Sequence, residues 1–265
     1  MQLTFAHRET WMHRVNPGIK LLLSVALFLV VILTHNLNVM INLLVAGVLP
    51  LLLWTGHPAK RLVLYASPFL LIFISSAAGM MMFGKGTTTW FHFGLIHITE
   101  ESFYRGIHLG FRSLQVASVG LTFALTTLPV SLFYCLMLQW CLPAKYAYSF
   151  LAAFRMVPGL IDEFQALRHA QLIRGRKKSP FLLGWYNRLR MYAIPLLAGS
   201  IRRAHRTAVA MEAKRFSITG SRTYYYTAGY SGYDLIYLLY WGIALALAYW
   251  LGTVMPYVSL TDVRF

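Results

Sequence analysis

Acidic side chains are scarce in this 265-residue sequence, with 8 Asp and Glu against 24 Lys and Arg. Charge of either sign is scarce as well, at 12% of residues, where a soluble globular domain carries about 25%. A surface with so little charge need not face water, which excludes an ordinary soluble domain. Cysteine is nearly absent. Cys135 and Cys141 lie in an apolar stretch without CxxC spacing and support neither a disulfide framework nor a metal site. The nine histidines show no ligand spacing. No small-residue cleavage site follows the first apolar run, so no cleavable signal peptide is expected.

What is present is apolar: 58% of residues are hydrophobic and the mean hydropathy is +0.57. A bilayer core about 30 Å thick needs roughly 20 apolar residues per helix. Ile19 to His35, Leu37 to Thr55, Leu62 to Phe83, Ile107 to Thr126 and Tyr233 to Leu251 meet that need. The predicted fold class is therefore an all-α membrane protein with about five spans. Residues 1–126 form a bundle of four spans, 127–232 a cytosolic-side segment, and 233–265 the last span and tail.

A formal net charge of +16 can draw nucleic acid, anionic lipid or an acidic protein. The long apolar runs leave the bilayer and protein as partners, and no nucleic acid is expected. With the N-terminus in the cytoplasm, the inner segments carry Arg8, Arg14, Lys60, Arg61 and fifteen basic residues from Lys145 to Arg222. The outer segments keep Lys85, Arg105 and Arg264. This asymmetry predicts a multi-pass protein of a bacterial-type cell membrane with a cytoplasmic N-terminus.

Within the long segment, Val130 to Leu142 is too short to span and reads as a re-entrant or interfacial helix. From Tyr146 to Gly175, apolar residues recur at helical spacing (Phe150, Phe154, Val157, Ile161, Phe164) with Asp162, Glu163, Gln165, Arg168 and His169 on the other face. A second Arg-rich amphipathic stretch runs from about Leu183 to Arg215, with Pro195 as an expected kink. Composition alone would equally allow both to lie on anionic lipid.

The two stretches end alike. Ala170-Gln171-Leu172-Ile173-Arg174-Gly175 closes the first and Ala210-Met211-Glu212-Ala213-Lys214-Arg215 the second, forty positions later. A cation in a last helical turn opposes the negative pole of the macrodipole, which explains the basic residue but not the repeated Ala one turn earlier. A small residue there leaves the flank bare, so that a partner surface can approach while the cation projects forward.

Here the chain resembles the transmembrane (T) component of energy-coupling factor transporters, an ABC-type family, over nearly its whole length. The residues that carry the resemblance are His13 to Leu21 at the first span, Arg112 with Thr126-Thr127 around the fourth, Phe154-Arg155-Met156-Val157-Pro158 with Glu163, and Ala170-Gln171 with Arg174-Gly175. The resemblance implies a non-enzymatic coupling subunit with no cofactor of its own, ATP and Mg being bound by partners. Those partners would be two ATPase subunits and a substrate-binding membrane S component for a vitamin. Carried over by position, Ala170, Arg174 and Gly175 meet one ATPase and Ala210, Lys214 and Arg215 the other. Arg155, Pro158, Glu163 and Glu212 support them.

The second tip departs from the family pattern, which commonly has Arg then Gly where this chain has Lys214 then Arg215. Lys lacks the planar fork that grips a carboxylate in two places. Without Gly as terminator, the helix is expected to run on toward Phe216. This variant is similar to subunits of thiamine-precursor systems.

Other features read more plainly. Gly79 to Gly86 nearly spells a phosphate-binding loop, but Gly86 stands where Ser or Thr is needed and a span precedes it instead of a strand. Arg112, inside the fourth span, is expected to snorkel or pair structurally. Trp54, Trp90, Tyr224 to Tyr226, Tyr249 and Trp250 read as interfacial anchors, and Ser75 to Gly79 as a close-packing stripe. Two rival functions are a self-sufficient secondary transporter, which needs a polar pathway, and a membrane scaffold whose basic helices bind lipid.

Overall fold

A computed structural model of the chain describes residues 9–84, 89–93, 96–174, 181–216, 224 and 229–257. Chain packing divides it into two compact units, one of residues 1–135 with 228–265 and one of residues 136–227.

The first unit opens with a single turn, Trp11–Arg14. Pro17 at a first helical position, where its fixed φ suits the helix, starts α1 (Pro17–Leu33). The Asn16 side chain accepts the amide of Gly18 at 2.9 Å. α2 (Leu37–Leu53) and α3 (Ala59–Phe83) follow. Strands β1 (Thr89–Phe93) and β2 (Ile96–Thr99) pair antiparallel. This hairpin was not expected from the spans, although aromatic and β-branched residues favour a strand there. α4 (Glu100–Thr126) starts seven residues before the apolar stretch, because Thr99 and Ser102 form a capping box and Glu100 and Glu101 occupy the first turn. α5 (Pro129–Gln139) is bent by 93° from α4, and α8 (Gly232–Val254) completes the unit.

α3 and α8 are each long and apolar enough to cross a bilayer, and α4 with α5 qualifies as a broken pair. α1 and α2 are apolar helices of 17 residues, at the short end of the spanning range. The fold is an all-α membrane protein. α4 packs against α1, α2 and α3, and α2 also packs against α8. Apolar side chains point outward, as lipid requires: Val63, Leu64 and Leu71 on α3 are each at least 64% exposed. A smaller core gathers Met12, Val15, Leu27, Val119, Tyr237 and Trp241.

Small residues set the helix spacing. A Cβ on Gly110 would lie 2.6 Å from the Phe73 ring, and one on Gly106 2.8 Å from the Ala77 carbonyl, so α3 lies directly on α4. Of the Ser75 to Gly79 stripe, Ala77 is the buried contact, while Gly79 faces open space. Arg112 is pinned structurally: its guanidinium donates to the carbonyls of Thr34 at 2.9 Å and Ile32 at 3.3 Å, capping the C-terminus of α1. Trp54 stacks edge-on to Trp11 and Tyr240 with centroids 5.1 and 5.2 Å apart, tying the first turn to α8. Near the phosphate-loop look-alike, residues up to Phe83 continue α3 as helix, without the strand such a loop would follow.

The second unit holds α6 (Ala144–Ile173) and α7 (Phe181–Ala213), each beginning two residues before its predicted start. Residues 85–88, Gly175, Arg176 to Lys178, Pro180, Arg222, Tyr225 and Tyr226, and the side chain of Trp90, lie outside what the structure describes.

Candidate functional site

The ends of α6 and α7 close with the same hydrogen bond. The Arg174 amide donates to the Ala170 carbonyl at 3.2 Å, and the Lys214 amide donates to the Ala210 carbonyl, also at 3.2 Å. The repeated Ala and the cation four positions on are thus the two partners of the last α-helical bond at each tip. Arg174 and Lys214 stand in equivalent positions.

The second helix does not run on toward Phe216, contrary to expectation. It stops at Ala213. Arg215 takes the left-handed conformation, φ 54°, its amide donates to the Glu212 carbonyl at 2.8 Å, and the Phe216 amide donates to the Met211 carbonyl at 2.9 Å. Those two bonds are a Schellman terminator. Arg215 does the work that Gly usually does, at a cost of about 1 kcal/mol for a side chain in that region. The sequence reading treated Gly as required for the stop, whereas the backbone bonds suffice.

α6 and α7 cross antiparallel. Tyr148 meets Phe216 edge-on at 5.6 Å, Arg203 donates to Glu163 at 2.6 Å, and Phe164 meets Tyr192 at 5.2 Å. Residues early in α6 therefore pair with residues late in α7, and the two tips lie at opposite ends of the pair. From Tyr148, beside the second tip, to Arg174 at the first, 26 residues of helix span about 39 Å. The tips cannot share one groove.

Each tip is solvent-facing. Arg174, Lys214 and Arg215 are exposed, Ala170 is half-buried and Ala210 exposed. Leu172 and Ile173 at the first tip are 68% and 87% exposed, a large apolar surface beside a cation that calls for a partner. No such pair flanks Lys214, whose neighbours are Glu212 and Ala213. Along the described parts of the unit, eleven Lys and Arg stand against three acidic residues, so the surface invites an anionic partner.

Among the supporting residues, Glu163 pairs with Arg203, which the sequence reading did not single out. The pair is partly exposed, at 41% and 27%, and contributes up to about 1 kcal/mol. Its carboxylate also lies over Gly199, where a Cβ would come within 3.4 Å of both oxygens. Arg155, Pro158 and the Glu212 side chain are exposed.

A second polar constellation was missed. It lies in the first unit, where motifs distant in sequence converge. Lys20, 1% exposed, donates to the Thr126 carbonyl at 3.1 Å and to its hydroxyl at 3.3 Å, at the C-terminus of α4. Asp234, 4% exposed, accepts the amides of Asn16 and Ser231, both at 2.7 Å, and acts electrostatically on Lys20. The Asn16 side-chain Oδ1 accepts the Cys135 thiol at 3.0 Å. The nearby His13 imidazole is held below its ordinary range, first by burial and then by the charge of Lys20. A lysine inside an apolar span was the signal that could have found the cluster, together with the capping-box spacing of Ser231 and Asp234 ahead of the last span.

Residues 8–225 match the CbiQ family, described as cobalt transport protein. The chain belongs to this family of energy-coupling factor T components. Similar proteins include the energy-coupling factor transporter transmembrane proteins EcfT of Macrococcus caseolyticus, 25% identical over 89% of this chain and 91% of the relative, and of Listeria innocua serovar 6a, 26% identical over 92% and 94%. The EcfT of Streptococcus equi subsp. equi is 28% identical over 80% of this chain and 82% of its own length. The family membership makes the chain a transmembrane component of an ABC-type transporter.

Proposed function

We propose that this chain is the coupling subunit of an energy-coupling factor importer. It transmits the ATP-driven motion of two cytosolic ATPase subunits to a membrane S component that binds a vitamin. One ATPase seats on Ala170, Arg174 and Gly175, the other on Ala210, Lys214 and Arg215. The chain catalyses nothing and holds no cofactor; ATP and Mg belong to the motors. Its N-terminus and the α6–α7 pair face the cytoplasm, in keeping with the excess of Lys and Arg.

One observation supports this reading: two exposed cationic tips, each with an Ala four residues before the cation, sit at opposite ends of one crossed helix pair. A surface helix attracted to lipid would present its charges along a face, with no reason to repeat an Ala and a cation four residues on at both ends. Motors pressing on the two ends would act on one crossed helix pair. A hydrogen bond to a charged group contributes roughly 1.5–3 kcal/mol.

Affinity purification of the tagged chain from its native membrane tests the proposal. Two ABC ATPase subunits and a small membrane protein are expected to copurify. Recovery of the chain without any ATPase would overturn it. The lipid-scaffold alternative predicts a graded loss of membrane attachment with each charge removed and no special standing for Arg174.

A further inference from the structure

A groove of about 650 Å³ runs along the flank of the first unit between α3 and α4, bounded by Phe69 to Ser76 on one side and Leu109 to Ala124 on the other. Its walls are apolar, and the two serines that reach it have their hydroxyls already engaged. Ser76 donates to the Phe73 carbonyl at 3.1 Å and Ser113 to the Gly110 carbonyl at 2.7 Å. Arg112 is the one charged side chain in the lining. Among the described residues, both of its hydrogen bonds, to Thr34 and Ile32, are made by Nη2. Its Nε is buried and meets no acceptor there. The guanidinium therefore caps α1 with one nitrogen and keeps N–H donors to spare, with no carboxylate in the groove to take them. A charged donor left unmatched in an apolar setting calls for an acceptor.

We propose that this groove binds one anionic phospholipid, whose phosphate accepts from Arg112 and whose acyl chain lies along α4. Depth and charge select that occupant. Thr34 caps the C-terminus of α1, so Arg112 stands where a membrane helix ends, at the level of lipid headgroups. From Arg112 to Ala124, 12 residues of helix rise about 18 Å, close to half of a hydrocarbon core about 30 Å thick. The groove below the cation is thus one leaflet deep. Moving an acyl chain from the bilayer into it gains little, because the surrounding lipid is as apolar as the walls. Selection falls on the headgroup. There a cation in a low-dielectric setting favours net negative charge, and its spare N–H groups form charge-assisted hydrogen bonds to phosphate oxygen. A lipid seated in this way joins the end of α1 to the α3–α4 flank. The site does not depend on the proposed function; only its leaflet, the outer one, follows from the cytoplasmic N-terminus.

Native mass spectrometry of the full chain, released from nanodiscs of equal parts phosphatidylglycerol and phosphatidylcholine, tests the proposal. The reading is the identity of the last phospholipid stripped from the protein. In wild type it is expected to be phosphatidylglycerol, favoured about tenfold, as one charge-assisted hydrogen bond allows. Arg112→Gln should bring the two lipids to equal retention. Gly120→Phe fills the groove without touching the cation, since Gly120 lines it and a Cβ there meets nothing within 4 Å. That variant should hold the last lipid about tenfold less often, and it decides the matter if Arg112→Gln does not accumulate. A phosphatidylglycerol preference that survives in Gly120→Phe at undiminished retention would assign the lipid to the basic surface of α6 and α7 and overturn the site. Equal retention of the two lipids by wild type would overturn it too. Wild type that holds no lipid would do the same, leaving the groove to another membrane helix.

Discussion

The carboxylate of Asp234 accepts the backbone amide of Asn16 at 2.7 Å, across 218 positions of sequence. Its other oxygen accepts the Ser231 amide at the same distance. Helix N-termini carry donors without intrahelical partners and favour negative charge; a single carboxylate here serves α1 and α8 at once. Asp234→Ala is therefore expected to destabilise the first unit by about 3 kcal/mol, through two lost charged hydrogen bonds at a buried site. Asp234→Asn, which keeps one acceptor, should lose about half as much. Thermal unfolding in detergent followed by circular dichroism measures both, and an unchanged midpoint for Asp234→Ala would remove the clamp.

At the second tip, backbone strain makes a prediction of opposite sign. Arg215→Gly relieves the left-handed conformation and should stabilise the end of α7 by about 1 kcal/mol, while Arg215→Val should destabilise it by at least as much. Hydrogen exchange at the Phe216 amide, which closes the terminator, reports this locally. Slower exchange in the valine variant would show that the terminator is not under strain.

For the motor interface, Arg174→Ala is expected to weaken ATPase recovery by about tenfold to a hundredfold while leaving the midpoint of bundle unfolding unchanged. Lys214→Ala should weaken it less, since an ammonium grips a carboxylate at one point only. Quantitative copurification and vesicle uptake read both. Wild-type uptake by Arg174→Ala would deny that residue its role.

Inside the bundle, Gly110→Leu places a side chain against Phe73 and Ala77 and should cost about 1–3 kcal/mol or force α3 away from α4. Gly79→Leu, on the small-residue stripe of α3 but facing open space, should be tolerated. Comparing the two midpoints separates packing from composition.

His13 makes the stability of the first unit fall in acid. Its Nδ1 accepts the Thr10 amide at 3.2 Å, a role that protonation at that nitrogen ends, and burial followed by the Lys20 charge lowers its affinity for a proton. The unfolded chain takes up that proton near the ordinary pKa of about 6.5 while the folded one resists. The contribution is present in full above pH 6.5 and is lost progressively below it. A midpoint that drops as the pH falls below about 6.5 in wild type and stays flatter in His13→Gln is the expected outcome; parallel curves would assign the acid loss elsewhere.

Much of this was legible in the residues themselves. The apolar runs mark α1, α2, α3, α4 and α8 because a bilayer selects composition over some twenty residues at a time. The alternation of Phe150, Phe154, Val157 and Ile161 with charge marks α6 to within two residues at each end. The tips were legible because an Ala with a cation four places on recurs at the end of both amphipathic stretches. What stayed hidden was long-range or conformational. Asn16 and Asp234 become neighbours only once the start of α8 meets the start of α1, and Glu163 finds Arg203 only once α6 and α7 cross. Nothing in the letters Lys214-Arg215 announces a left-handed arginine, since that conformation is set by two backbone bonds and not by the side chain.

The same arginine separates two properties that a glycine would merge. Where a helix stops is written in the amides of residues 215 and 216, and what it offers to a neighbour is written in the side chain at 215. Replacements at that position can alter the polarity, reach or bulk of the tip while its location in space stays put. One end of the crossed pair is thus open to adjustment toward a new protein without any redesign of the rod behind it.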